Sequence, residues 1–153
     1  MSAVVSVERE IAADPEAVWA LVSDLPKMGD WSPENDGGSW AGGATTAAVG
    51  AVFKGRNHNG RRRWRTSVEV VECDPPKRLV FRLKVGPLAG CDWIYELSPT
   101  ESGCLVTESW VDDRGWLLIK VGGLVSGVAD RATYNRAGME ATLENLAAAA
   151  EAA

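Results

Sequence analysis

A few polar side chains stand where alternation or helical spacing otherwise places apolar ones, and these have chemistry to offer. Glu108 lies between Val106 and Trp110 in "GCLVTESWVDD", so a strand there turns its carboxyl to an apolar face. Tyr95 and Thr66 put hydroxyls on similar faces, Asn57 sits beyond Gly55 towards a hairpin tip, and Asn135 falls on the apolar stripe of a long helix. Burying such a group without a partner costs about 1–3 kcal/mol. In a cavity these groups would orient the oxygen atoms of a ligand. The competing reading is a structural ion pair or a water-filled site, for example Glu108 with Arg62 or Arg131. A carboxyl in an apolar cavity has its pKa raised, which suits a general acid or base.

Other chemistries find little support. His58 is the single histidine, and it falls beside a turn on a solvent face. "GLVSG" around Ser126 lacks the GxSxG elbow of a nucleophilic serine. Cys73, Cys91 and Cys104 are widely spaced with no CxxC, so free, reduced thiols in a cytoplasmic protein are expected and no metal site. No GxGxxG follows a strand into a helix and no Walker lysine is present, so no cofactor is expected. "GGSWAGGATTAAVG" reads as a flexible loop.

Bulk properties bound the rest. A chain of 153 residues, 46% hydrophobic and 24% charged, reads as one globular domain over 1–153. A net charge of -5 argues against nucleic-acid partners, for which phosphate neutralisation supplies much of the affinity. The first residues, "MSAVVSVEREIAADPEAVW", carry no basic n-region, so no secretory signal is expected. The least charged stretches, Gly37 to Phe53 and Trp116 to Ala129, are Gly-, Ala- and Thr-rich or broken by Lys120, so no membrane insertion is expected. Oligomeric state is left open.

The elements that must position the polar groups follow from periodicity. In "GRNHNGRRRWR", Asn59-Gly60 is a strong signal for a two-residue hairpin loop, which would set His58 opposite Arg61 and Gly55 opposite Trp64. Phe53, Gly55, Asn57, Trp64, Thr66, Val68 and Val70 then share the inner face, while Arg56, His58, Arg61, Arg63 and Arg65 share the outer one. The basic run is thus chiefly a solvated strand face. "KRLVFRLKVG", "CDWIYELSP" and "GCLVTESWVDD" continue the alternation, joined by Pro-, Gly- and Ser-rich turns, to complete a five-strand antiparallel meander. Before it come a strand, "VVSVEREIAA", a short helix from Pro15 to Ser23 behind Asp14, and a second short helix or turn in "LPKMGDWSPEN". After it, Ser126 to Ala153 reads as one amphipathic helix with Val128, Ala132, Asn135, Met139, Leu143, Leu146 and Ala150 on one face. "GWLLIKVGGLVSG" ahead of that helix reads as its packed lead-in or as a hinged lid.

This order resembles the α+β helix-grip fold of the START and Bet v 1-like superfamily, and more narrowly the bacterial polyketide cyclase/dehydrase and lipid-transport family. The resemblance rests on "ADPEAVWALVSDLPKMGDWSPE", "VGAVFKGRN", "WIYELSP", "GCLVTESW" and "GMEATLENLAAAAE" and spans nearly the whole chain. It implies a curved antiparallel sheet wrapped around the long C-terminal helix, with an apolar cavity between them. That cavity would be lined by Phe53, Trp64, Phe81, Trp93, Tyr95, Trp110 and Met139, with Asn57, Thr66, Glu108 and Asn135 as polar contacts. With seven Trp in the chain, the competing reading is that these indoles simply fill the core. The expected function is binding of a small hydrophobic molecule of polyketide, fatty-acyl or aromatic type. The alternative is a cyclase or dehydratase with Glu108 as general acid/base, and a third reading is an anion-binding interaction module on the basic outer face of the hairpin.

Overall fold

The structure, a computed structural model, describes residues 3–152. Its strands are β1 (Ala3–Ile11), β2 (Asn35–Trp40), β3 (Val52–Asn59), β4 (Arg62–Asp74), β5 (Arg78–Leu83), β6 (Cys91–Thr100) and β7 (Gly103–Asp112). The helices are α1 (Pro15–Val22), a short 3-10 helix (Leu25–Asp30), α2 (Trp116–Ser126) and α3 (Arg131–Glu151). All seven strands form one antiparallel sheet in the order β1-β7-β6-β5-β4-β3-β2. This is the helix-grip arrangement, with α3 held in the curve of the sheet.

The apolar faces close the core as alternation requires. Val5, Val7 and Ile11 of β1, Leu79 and Phe81 of β5, and Val106 and Trp110 of β7 are buried together with Met139, Leu143 and Leu146 of α3. Helix α3 packs on β1, α1 and β7, whereas the β3–β5 side of the sheet is reached chiefly by the 3-10 helix through β2 and by α2 through β4. The long helix therefore leans to one side of the sheet. The space it leaves over the other side is the cavity.

Three expectations are corrected. The segment read as a loop after Asp36 contains β2, which pairs with β3 from Asn35↔Asn57 to Trp40↔Phe53 across a register shift. It lacks alternation because Gly37 and Gly38 occupy a bulge; a Cβ on Gly38, at φ +153, would stand 2.0 Å from the Lys54 carbonyl oxygen. In the β3–β4 hairpin the loop is Gly60-Arg61, so Asn59 faces Arg62, His58 faces Arg63 and Asn57 faces Trp64. That slip of two residues preserves both faces, since side chains alternate with period two. Finally, the long C-terminal helix begins at Arg131 and not at Ser126, and a separate helix, α2, precedes it. Gly127, left-handed at φ +73, ends α2, and Asp130 caps α3 by accepting from the Thr133 N–H at 3.2 Å. The lead-in "GWLLIKVGGLVSG" is thus largely helical, and Ala153, the expected last helical residue, lies outside the described residues.

Candidate functional site

The cavity has a volume of about 840 Å³, within the usual range for small-molecule pockets. Ten of the residues expected at the site stand in or beside it. Phe53, Asn57, Trp64, Thr66, Phe81, Trp93, Tyr95, Glu108, Trp110 and Asn135 line it. Met139 lines a smaller adjoining cavity of about 280 Å³ on the α3 side, which shares Trp93, Glu108 and Asn135 with the larger one. The indoles divide: Trp110 is buried and belongs to the core, while Trp64 and Trp93 remain half-buried on the cavity wall.

Strand register assembles the polar floor. Tyr95 of β6 lies opposite Glu108 of β7, and Trp93 opposite Trp110. The pairing brings the Tyr95 hydroxyl to Glu108 Oε1, to which it donates at 2.8 Å. Trp93 and Trp110 pack with ring centroids 6.3 Å apart, and Phe81 stacks on Tyr95 at 6.2 Å. Glu108 is 3% exposed, and its Oε2 has no partner among the described residues. Burial pushes its carboxyl up to about 8, with the Tyr95 hydrogen bond pulling the other way. The Tyr95 phenol is raised too, first by burial and then by Glu108.

Neither arginine considered for Glu108 reaches it. Arg62 donates to the Leu124 carbonyl. Arg131 Nη1 donates to both carboxylate oxygens of Glu34, at 2.7 and 2.9 Å, and to Asn135 Oδ1 at 3.3 Å. The geometric reason is reach. Arg131 opens α3 at the cavity rim, beside the turn that carries Glu34, whereas Glu108 lies on the floor of the sheet. Asn135, 4% exposed, thus has its oxygen satisfied and its Nδ2 without a partner among the described residues. An unpartnered carboxyl oxygen and an unpartnered amide N–H₂ therefore sit on the walls of the same cavities.

Nearer the open end, Asn57 Nδ2 donates to Thr66 Oγ1 at 3.0 Å, so those two side chains chiefly satisfy one another. His58 stands outside both cavity walls, with Nδ1 2.9 Å from Asp36 Oδ1. All three cysteines are free; Cys91 is on the cavity wall, but burial pushes its thiol up to about 11, which leaves it no nucleophile near neutral pH.

Comparison with known proteins assigns the architecture. The family described as polyketide cyclase/dehydrase and lipid transport matches residues 2–151. The chain belongs to this family. Among solved structures, a polyketide cyclase-like protein of Corynebacterium glutamicum is 28% identical, with a TM-score of 0.60 over 98% of this chain and 90% of that one. A protein of Chromobacterium violaceum is 18% identical, with a TM-score of 0.69 and 97% of each chain covered. The di-domain ARO/CYC protein of the steffimycin biosynthetic pathway is 15% identical, with a TM-score of 0.75; the match takes in 98% of this chain and 51% of that one. No curated protein matches the chain.

In this member of the polyketide cyclase/dehydrase and lipid transport family, sequence reasoning missed two parts of the cavity. One is the Glu34–Arg131 pair at its rim, whose members are 97 positions apart and leave no local signal. The other is the helical form of α2, read as a packed lead-in or a hinged lid, which supplies Leu118, Val121, Gly122 and Val125 to the wall. Its apolar run was visible, but only packing shows which side of that run the cavity takes.

Proposed function

We infer that the chain, as a single domain over 1–153, binds a small hydrophobic molecule of polyketide, fatty-acyl or aromatic type between sheet and long helix. One observation carries this reading: Glu108 Oε2 and Asn135 Nδ2 are both buried and unpartnered on an otherwise largely apolar cavity. Leaving such atoms unpaired is costly, so the arrangement suits a ligand that brings an oxygen atom to them. With its carboxyl raised to about 8, Glu108 is protonated at neutral pH and offers an O–H beside the Asn135 N–H₂. Two donors on the walls of one cavity suit a ligand that carries carbonyl oxygen. Phe53, Trp64, Phe81, Trp93 and Trp110 would hold the apolar body, Met139 the end that reaches the smaller cavity, and Asn57 and Thr66 polar groups near the mouth. The three free thiols support a reducing, cytoplasmic setting.

A second reading is favoured by the same carboxyl. A group poised near pH 8 can both take and give a proton, as a cyclase or dehydratase step needs. In a dehydration, the Glu108 carboxylate would take the proton α to a carbonyl polarised by Asn135. It would then return that proton to the β-hydroxyl as the C–O bond breaks, the C=C bond forms and water leaves. The ARO/CYC proteins of the steffimycin and BE-7585A pathways share the fold and support keeping this reading beside the first.

The two readings separate on Glu108→Gln. Thermal shift and tryptophan quenching against fatty-acyl, aromatic and polyketide-type compounds should identify ligands. If Glu108 is a catalyst, Glu108→Gln abolishes turnover of a β-hydroxy carbonyl ligand and largely spares its binding. If it is a contact only, binding weakens and no turnover exists to lose. Failure of every compound to shift the wild type, with the cavity found filled by side chains, would sink both.

A further inference from the structure

Helix α2 is the least covered apolar element of the molecule. Trp116 is 72%, Leu117 54% and Leu124 75% exposed, and Ile119, Val121 and Val125 are also open to solvent. Lys120 is the single charge on this helix, and its ammonium lies over the Trp116 ring. Soluble surfaces rarely gather so many large apolar groups in one place without a partner to cover them.

What stands beside α2 indicates the partner. The tip of the β3–β4 hairpin is tied to its C-terminal end: Asn59 Nδ2 donates to the Ser126 carbonyl at 2.9 Å, and Arg62 donates to that of Leu124. The tip carries Arg61, Arg62, Arg63 and Arg65, all exposed, in a chain whose net charge is -5. Nearby acids are engaged: Asp112 pairs with Arg114, and Asp130 is turned back to cap α3. Asp36 Oδ1 lies 2.9 Å from His58 Nδ1, and Asp36 Oδ2 pairs at 3.8 Å with Arg63, which remains 75% exposed. Apolar side chains and a cluster of exposed arginines thus share one end of an otherwise acidic molecule.

We propose that α2 and the arginine-rich tip together form a docking surface for an anionic lipid membrane. The apolar side chains enter the boundary between headgroups and acyl chains, and the arginines meet the negative headgroups. The contact is peripheral, since among the described residues no helix is long and apolar enough to cross a membrane. A second copy of the chain fits less well: its α2 carries no acid and so offers the arginines no opposite charge. Leu118, Val121 and Val125 also line the cavity, so the helix that meets lipid is itself a cavity wall.

The test is co-sedimentation of the full chain with vesicles of phosphatidylcholine alone, and of phosphatidylcholine and phosphatidylglycerol in equal parts. The wild type should sediment with the anionic vesicles, lose that binding in high salt and stay in solution with the neutral ones. Leu117→Asp with Leu124→Asp, at exposed positions, should lower the affinity by about tenfold or more, with the far-UV spectrum unchanged. Arg61→Ala and Arg63→Ala should each lower it by about fivefold. Absence of wild-type binding to anionic vesicles, or binding indifferent to these substitutions, overturns the proposal. So does a wild-type dimer in sedimentation analysis that the Leu117→Asp, Leu124→Asp variant dissociates, which would make the face a contact between copies.

Discussion

At the closed end of the cavity, β6, β7 and α3 carry Tyr95, Glu108 and Asn135 on the cavity walls, and two polar atoms there lack partners among the described residues. At the open end, α2 and the β3–β4 tip leave large apolar side chains facing water beside exposed arginines. One end buries polarity and the other exposes apolar surface, each against the usual direction. The closed end is tightly framed by strand pairing and by α3, so its unpaired atoms are held in place. The open end rests mainly on β4, so its cost falls on a helix that is lightly attached. Departures from good packing thus stand at opposite ends of one cavity, at the two places where binding is proposed.

The two ends differ most in their tryptophans. Trp110 is 2% exposed at the closed end and Trp116 72% exposed at the open end. Trp110→Ala should cost about 3–5 kcal/mol in urea denaturation, and Trp116→Ala should stay within about 0.5 kcal/mol. Similar costs for the two would mean that α2 is packed in solution.

Glu108 supplies a pH-dependent version. Its folded-state value is about 8, against an ordinary 4.5. Between those values the folded chain holds a proton that the unfolded chain has released. Stability from this group is therefore complete below the ordinary value and falls as pH rises through the window. Denaturation of Glu108→Gln across the same range should show a flatter profile. Its advantage over the wild type should grow to the order of a few kcal/mol above the upper value. Parallel profiles for the two proteins would show that the carboxyl is hydrated and not buried.

A smaller effect is expected at Asn135. Replacing it with Leu removes an unpartnered buried N–H₂ at the loss of one long hydrogen bond from Arg131, which keeps its pair with Glu34. Asn135→Leu should raise stability by about 1 kcal/mol and weaken any ligand that presents a carbonyl. A loss above about 2 kcal/mol would place the amide in a structural network and remove it from the site.

The inner and outer faces of β3 and β4 were legible in the sequence, and they survived an error in the hairpin register because a slip of two residues leaves every side chain on its own side. The stripe of α3 was legible for the same kind of reason: Asn135, Met139, Leu143, Leu146 and Ala150 recur at helical spacing, and all are buried. Strand β2 was not. "NDGGSW" has no alternation, and it is a strand because β3 offers its edge there and the glycines permit close approach. The end of one helix and the start of the next at Gly127 and Asp130 carried usable signals, a glycine and a capping aspartate, which the run of helix formers around them concealed.

Which residues face inward is written in the order of the residues, because periodicity is a local property of strand and helix geometry and needs no knowledge of distant segments. That order placed Glu108, Tyr95 and Asn135 on apolar faces. Only the tertiary structure decided what those faces meet. That Glu108 finds Tyr95 and no cation, that Arg131 is taken by Glu34, and that α2 turns one side to the cavity and another to water all depend on contacts between segments far apart in the chain. The cavity itself is the space left where α3 leans towards β1. Its size follows from distances between elements, which no stretch of sequence encodes alone.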